Sequence, residues 1–230
     1  IKDILGDYAQ TMPIEILLKG RKNVGAASPE TARLKGIRFA LASESERGQT
    51  WSSSLVKQLT GGDTITARHL YGDIFEFKSE ATIWITSNFK PRVDALDDAM
   101  WRRMILIPFN RIFSDKERDY NLSDKLRKEY PGILKWMVDG LQRYNEMGLS
   151  KPEKILNAVS EYRKEMDTVH RFVDEKCTLH RTSRTPLKEM KSEYQEWCNE
   201  EQLPNLPVSD FKKALLDLSL IHISEPTRPL

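Results

Sequence analysis

Three short polar motifs in this chain have the residue types needed for chemistry on a phosphate. The first is Glu44-Ser45-Glu46, which follows the apolar run Ile37–Ser43 (IRFALAS). Carboxylates at the end of a buried strand can hold Mg²⁺, directly or through water, and polarise an attacking water. Acidic residues after a strand also serve as plain solvated loop, and two residues two apart point the same way only while the chain stays extended. The second motif is Asn88, which closes ATIWITSN. An uncharged amide at a strand tip can orient water beside a terminal phosphate; an Asn before Phe89-Lys90-Pro91 is equally at home in a turn. The third is Arg102-Arg103 in DDAMWRRMILIPF. An arginine reaching a neighbouring subunit's nucleotide can contribute about 10³–10⁵ in rate; the alternative is surface pairing with Asp97 or Asp98. A further set is basic: Lys57, Arg68 and His69. Arg68 and His69 near the tip of a hairpin, with Lys57 on the helix before it, can follow a phosphate backbone, or form a solvated face.

The elements that must position these residues read as α/β. The opening IKDILGDYA reads as a helix already under way. Ile37–Ser43 and Ala81–Thr86 read as buried parallel strands, and Met104–Phe109 (MILIPF) as a third. Trp51–Leu59 places Leu55, Val56 and Leu59 on one helical face and ends at Gly61-Gly62. Thr64–Phe77 reads as a hairpin about Tyr71-Gly72-Asp73. Strands separated by helical or hairpin excursions point to a three-layer sheet, with ligands at the C-terminal strand ends. Glu44, Glu46 and Asn88 lie there. Residues 111–150 look helical: Pro131 opens a helix and Gly148 closes it, with Ile133, Leu134, Met137, Val138 and Leu141 as its buried stripe. Pro152 opens the next. Beyond residue 167 come a short helix (Thr168–Cys177), a second over PLKEMKSEYQEWCNEE, a Pro-containing turn, and a third capped by Ser209. That order suits a winged-helix type DNA-binding module, and a plain helical bundle nearly as well.

The bulk numbers set limits. In 230 residues, 39% are hydrophobic and 30% charged, so a packed core is affordable and wholesale disorder is excluded. The net charge of +2 is too mild to establish a nucleic-acid partner, so any DNA site must be a local patch. Two cysteines, Cys177 and Cys198, argue against a disulfide framework or a zinc site and fit a cytoplasmic setting. No apolar run approaches the roughly 20 residues of a membrane span. The ending LIHISEPTRPL breaks the preceding pattern and reads as a non-native tail over residues 220–230.

Each motif is weak alone, but their order is specific: acidic strand end, helix, GGD turn, basic hairpin, strand ending in Asn, paired arginines. In RFALASESERG, VKQLTGGDTITARHLYGDIFEF, IWITSNFKP, DDAMWRRMILIPF and YPGILKWMVDGL the chain resembles the superfamily 3 helicase domain of phage and plasmid primase–helicases, related to the poxvirus primase–helicase. The likeness spans about residues 1–165; the FVDEKC and MKSEYQEWCNEE segments resemble the winged-helix tail of these proteins less sharply.

The resemblance implies an AAA+-like P-loop core, partial over residues 1–110, helices over 111–166 and a winged-helix-like DNA-binding module over 167–219. It implies ATP and Mg²⁺ as cofactors, single-stranded DNA or a replication fork as partner, and a homo-oligomeric, hexameric ring that multiplies the small basic patch. Glu44 and Glu46 match the Walker B acids, Asn88 the γ-phosphate sensor, and Arg102 and Arg103 the arginine-finger region. Lys57, Arg68 and His69 fall in the motif that builds the DNA-touching hairpin. One departure matters: the family's GxxxxGK[ST], whose amides and Lys cradle phosphates, is nowhere in this sequence, and Gly20–Gly25 (GRKNVG) lacks the Lys-Ser/Thr ending. In the family, a helix like IKDILGDYA directly follows that loop. The expectation is therefore a fragment cut after the loop, inactive by itself, from an ATP-dependent DNA helicase of phage or plasmid replication in a bacterial cytoplasm. A DNA-binding or loading protein with a degenerate ATPase fold is the alternative. A transcription-activating or clamp-loading ATPase is remoter, because GGDTITAR intervenes between the acidic motif and Asn88.

Overall fold

One central strand, hydrogen-bonded to a parallel neighbour on each edge, organises the main sheet. In the computed structural model, which describes residues 1–20, 28–43, 48–180 and 184–218, the helix α1 (Lys2–Leu5) is followed by strand β1 (Ala9–Thr11), helix α2 (Pro29–Ala32) and strand β2 (Phe39–Ser43). Ala40 and Ala42 of β2 are fully buried. Helix α3 (Ser53–Thr60) leads to a hairpin of β3 (Thr64–Arg68) and β4 (Ile74–Lys78), then to β5 (Thr82–Thr86) and α4 (Asp98–Trp101). Longer helices follow: α5 (Leu122–Lys128), α6 (Tyr130–Met147), α7 (Glu153–Met166), α8 (Thr168–Lys176), α9 (Leu187–Glu200) and α10 (Val208–Asp217). The main sheet is parallel, in the order β1-β2-β5, with Phe39↔Thr82 through Ser43↔Thr86 in register. The chain divides into two compact units, Ile1–Val93 with Ala99–Val159, and Asp94–Asp98 with Ser160 onward.

In the first unit, α1 is shorter than IKDILGDYA suggests. Gly6, at φ 54°, ends it after Leu5, and the chain turns into β1, which pairs with β2. Ile14, Ile16, Leu17, Leu34 and Leu59 are buried beside these strands, each worth about 1.5–3 kcal/mol against exposure. Helix α3 buries Leu55 and Leu59 and stops at Gly61. A Cβ at Gly61 would lie 2.6 Å from the Lys57 carbonyl oxygen, so only glycine allows so close a turn.

Three expectations are corrected. β5 is a strand, but not a buried one: Trp84 is 43% exposed, and only one of its edges is paired among the described strands. Residues 104–109 form no strand, and Ile105, Ile107 and Phe109 are exposed. Helix α6 has the anticipated ends, with a proline in its first turn and Gly148 beyond its last, yet none of its residues is buried. Its periodicity is real, but Leu134, Val138 and Leu141 are exposed and Ile133 and Met137 only partly covered.

The second unit is held by the stacked interiors of α8, α9 and α10. Val169, Phe172, Val173, Tyr194, Trp197, Cys198, Phe211, Ala214 and Leu215 form its core. The Tyr194 ring meets Phe172 edge-on at 5.5 Å and Phe211 at 4.7 Å. Its hydroxyl shares a buried 2.6 Å hydrogen bond with Thr168. Asp167, not an element of the sequence reading, caps α8 by accepting from the His170 amide. The third helix starts two residues earlier than expected, at Val208 after Pro207, so Ser209 lies inside it rather than at its cap. The buried Lys191 donates to the Leu206 carbonyl at 2.7 Å and to Asn205, fixing the turn before α10. Among the described residues from 167 onward there are three helices and no strand. Both cysteines are free thiols.

Candidate functional site

The register of β2 against β5 sets out the site. Because the strands are parallel and Ser43 is level with Thr86, both chains leave the sheet at the same edge. The Thr86 hydroxyl donates to the Ser43 hydroxyl at 3.2 Å, tying the two strand ends together. Glu44 follows Ser43 directly in the sequence, and Glu46 two residues later; both lie outside the described residues, as does Arg21–Ala27, which holds most of the GRKNVG string. On the other strand, Asn88 is two residues past Thr86. Ser87 shapes this exit: its hydroxyl donates to the Phe89 carbonyl at 2.8 Å and accepts from the Phe89 amide at 3.0 Å. A side chain bonding its own backbone two residues on makes a tight turn, and it leaves Asn88 exposed at the strand tip. The carboxamide has no hydrogen-bond partner among the described residues.

The paired arginines separate clearly. Arg103 donates from Nε to the Thr60 hydroxyl at 3.2 Å and from Nη1 to the Ala99 carbonyl at 2.8 Å. It therefore braces the end of α3 against the turn after α4. Arg102 is exposed and makes no hydrogen bond or ion pair among the described residues. Neither arginine pairs with Asp98, which instead meets Arg163 at 2.6 Å within the second unit. The sequence offered no means of telling the two arginines apart; the discriminating signal is Thr60, 43 residues away.

The basic set divides as well. Arg68 ends β3 and is exposed, opposite Ile74 on β4. His69 follows it, its ring stacked on Phe75 at 4.8 Å. Lys57 is half-buried on α3 and so belongs to the helix that supports the hairpin rather than to its tip. One face of the hairpin, with Ile65, Ala67 and Phe77, is buried, and Lys35 lies 4.8 Å over the Phe75 ring. The tip itself, Leu70-Tyr71-Gly72-Asp73, is exposed.

The donor chemistry at the strand tips suits a hard cation and a phosphate. An amide oxygen and carboxylates are the oxygen ligands Mg²⁺ takes, with water filling the remaining positions. Among the described residues no cluster of three metal-binding side chains occurs, and the two glutamates lie outside them. No helix among the described residues is long and apolar enough to cross a membrane.

Sequence comparison finds relatives among large DNA viruses. The chain is 31% identical over 190 residues to a candidate helicase, L207/L206, of Acanthamoeba polyphaga mimivirus, covering 75% of this chain and 20% of that protein. It is 26% identical over 214 residues to a candidate helicase, 022R, of Frog virus 3, covering 85% of this chain and 22% of the relative. It is 26% identical over 216 residues to a candidate primase, C962R, of African swine fever virus (isolate Warthog/Namibia/Wart80/1980), with 85% and 22% covered. The chain is thus similar to helicase and primase proteins of large DNA viruses, and spans about a fifth of their length. No family model matches it.

Proposed function

We propose that this chain is part of an ATP-dependent DNA helicase of viral replication, and that it carries the γ-phosphate-sensing and DNA-contacting portion of the motor. The observation that supports this most is the shared exit of β2 and β5: Ser43, which the acidic run follows in the sequence, is level with Thr86, two residues before the exposed Asn88. In such a site Glu44 and Glu46 would hold Mg²⁺, and one of them would accept a proton from the attacking water. Asn88 orients that water or the phosphate oxygens. Bound ATP would supply the phosphoanhydride to be cleaved, and Mg²⁺ the positive charge that stabilises the ADP leaving group.

Arg102 is the better finger of the two arginines, because its guanidinium is uncommitted while Arg103 is engaged by Thr60 and Ala99. Acting in trans it needs a second subunit, so this reading includes a homo-oligomeric ring. The phosphate-cradling GxxxxGK[ST] must come from outside these 230 residues. The apolar free edge of β5 and the exposed Ile105, Ile107 and Phe109 are surfaces that a further strand would bury. The hairpin presents Arg68 and His69 to a DNA strand.

The test is DNA-stimulated ATP hydrolysis by the full-length gene product. Glu44→Gln should abolish it and Asn88→Ala should lower it by about 10²–10³, neither unfolding the protein. Wild-type hydrolysis in both variants would leave a DNA-binding or loading role in its place.

A further inference from the structure

We propose that Tyr71, at the tip of the β3–β4 hairpin, is a stacking platform for bases of single-stranded DNA. This rests on the DNA-contacting role of the hairpin, and it adds a residue and a mode of recognition that the basic side chains do not supply.

The turn geometry points to it. The Gly72 amide donates to the His69 carbonyl at 3.0 Å, closing a four-residue turn from His69 to Gly72. Tyr71 occupies its third position with φ 60°, while Leu70 before it is not among the positive-φ residues. A turn with a positive φ only at the third position calls for glycine or asparagine there. This chain places tyrosine at that position and glycine one residue later. The glycine is not spare: a Cβ on Gly72 would lie 3.1 Å from the His69 Cβ. Tyr71 and Gln202 are the only non-glycine residues with positive φ among the described residues. Strain of this kind on a bulky side chain is a reason to look for function.

The side chain receives no packing in return. Tyr71 is 97% exposed and makes no ring contact among the described residues. The structure beneath it is firm. Ile65, Ala67 and Phe77 anchor the hairpin's inner face, and His69 stacks on Phe75, which also lies under Lys35. An aromatic held clear of the surface on an anchored hairpin, with the exposed Arg68 three residues before it at the strand end next to the turn, matches what unpaired DNA needs. Cations follow the phosphates while the ring takes the face of a base, without sequence preference. A basic hairpin without the aromatic would read only the backbone.

The experiment uses this 230-residue chain and a fluorescent oligothymidylate, with a second oligonucleotide carrying 2-aminopurine to report stacking. Tyr71→Gly is the informative variant, because glycine relieves the positive φ and cannot unfold the turn; Tyr71→Trp restores a ring. We expect Tyr71→Gly to weaken binding by roughly 5- to 150-fold, the loss of one stacked base. It should also abolish 2-aminopurine quenching and leave the slope of affinity against salt unchanged. Tyr71→Trp should recover both binding and quenching. Arg68→Ala should instead reduce the salt slope by about one. Wild-type affinity in Tyr71→Gly, with Arg68→Ala impaired, would overturn the stacking role and leave the hairpin as a phosphate tracker. An absence of binding to the folded wild-type chain at low salt would overturn the stacking role and the DNA-contacting reading together.

Discussion

Replacing Arg102 and Arg103 one at a time should separate structure from catalysis. Arg103→Ala removes the bonds from Nε to Thr60 at 3.2 Å and from Nη1 to the Ala99 carbonyl at 2.8 Å. A hydrogen bond nets about 0.5–1.5 kcal/mol. Both of these are exposed, which favours the lower end, so the pair should contribute about 1 kcal/mol. In a unit of this size that lowers the melting temperature by about 2–4 °C. Arg102→Ala removes nothing that the fold uses, and its effect should stay within about 0.5 kcal/mol. Hydrolysis should show the reverse order. An arginine finger is worth about 10³–10⁵ in turnover, so Arg102→Ala in the full-length protein should be nearly inactive, whereas Arg103→Ala should keep activity below its melting point. Urea unfolding and steady-state hydrolysis on the same preparations measure both. The reasoning fails if Arg103→Ala is inactive while as stable as wild type, or if Arg102→Ala hydrolyses ATP normally.

Gly61→Ala should cost about 1–3 kcal/mol through the overpacked contact with the Lys57 carbonyl, read as a lower urea midpoint; an unchanged midpoint would mean that the turn relaxes freely. Tyr194→Phe should cost about 1–3 kcal/mol by stranding the buried Thr168 hydroxyl, and Tyr194→Phe combined with Thr168→Val should cost less than the sum of the two single changes, as a double-mutant cycle would show. Glu117 is held below the ordinary carboxylate pKa, first by the Ser114 amide, then by the Ser114 hydroxyl and Arg111. Since its folded pKa lies below the unfolded value of about 4.5, its contribution is complete above that pH and lost as the pH falls through the folded pKa. A carboxyl NMR titration should find its midpoint below 4.5, and Ser114→Ala should raise it.

What could be read from the sequence depended on whether the cause was local. The hairpin, α3 and the ends of α6 are written in nearby residues: Gly72 at the turn, Gly61-Gly62 after Leu59, and Pro131 with Gly148. β1 escaped because three residues carry no usable period, and Ala9–Thr11 is a strand only by virtue of pairing with Phe39–Leu41, thirty residues away. MILIPF failed as a strand for the opposite reason. Its composition is strand-like, but a strand needs a partner, and none is paired with it among the described residues. The α6 stripe shows that amphipathic spacing marks a face without ensuring that anything covers it. At the site, Asn88 was recognisable as a strand tip, while the commitment of Arg103 to Thr60 and the exposure of Tyr71 are tertiary facts. The Tyr71-Gly72-Asp73 turn was visible in the sequence; that the tyrosine, and not the glycine, takes the positive φ was not.

The central claim is that the shared edge of β2 and β5 is the water-activating side of an ATPase site. It is tested most directly by DNA-stimulated hydrolysis in the full-length protein carrying Asn88→Ala, with Glu44→Gln in parallel. Removing the Asn88 amide should lower turnover by about 10²–10³, the range for loss of one preorganised polar group, with the melting temperature unchanged because Asn88 bonds no other described residue. Wild-type turnover in Asn88→Ala, with or without DNA, would contradict it.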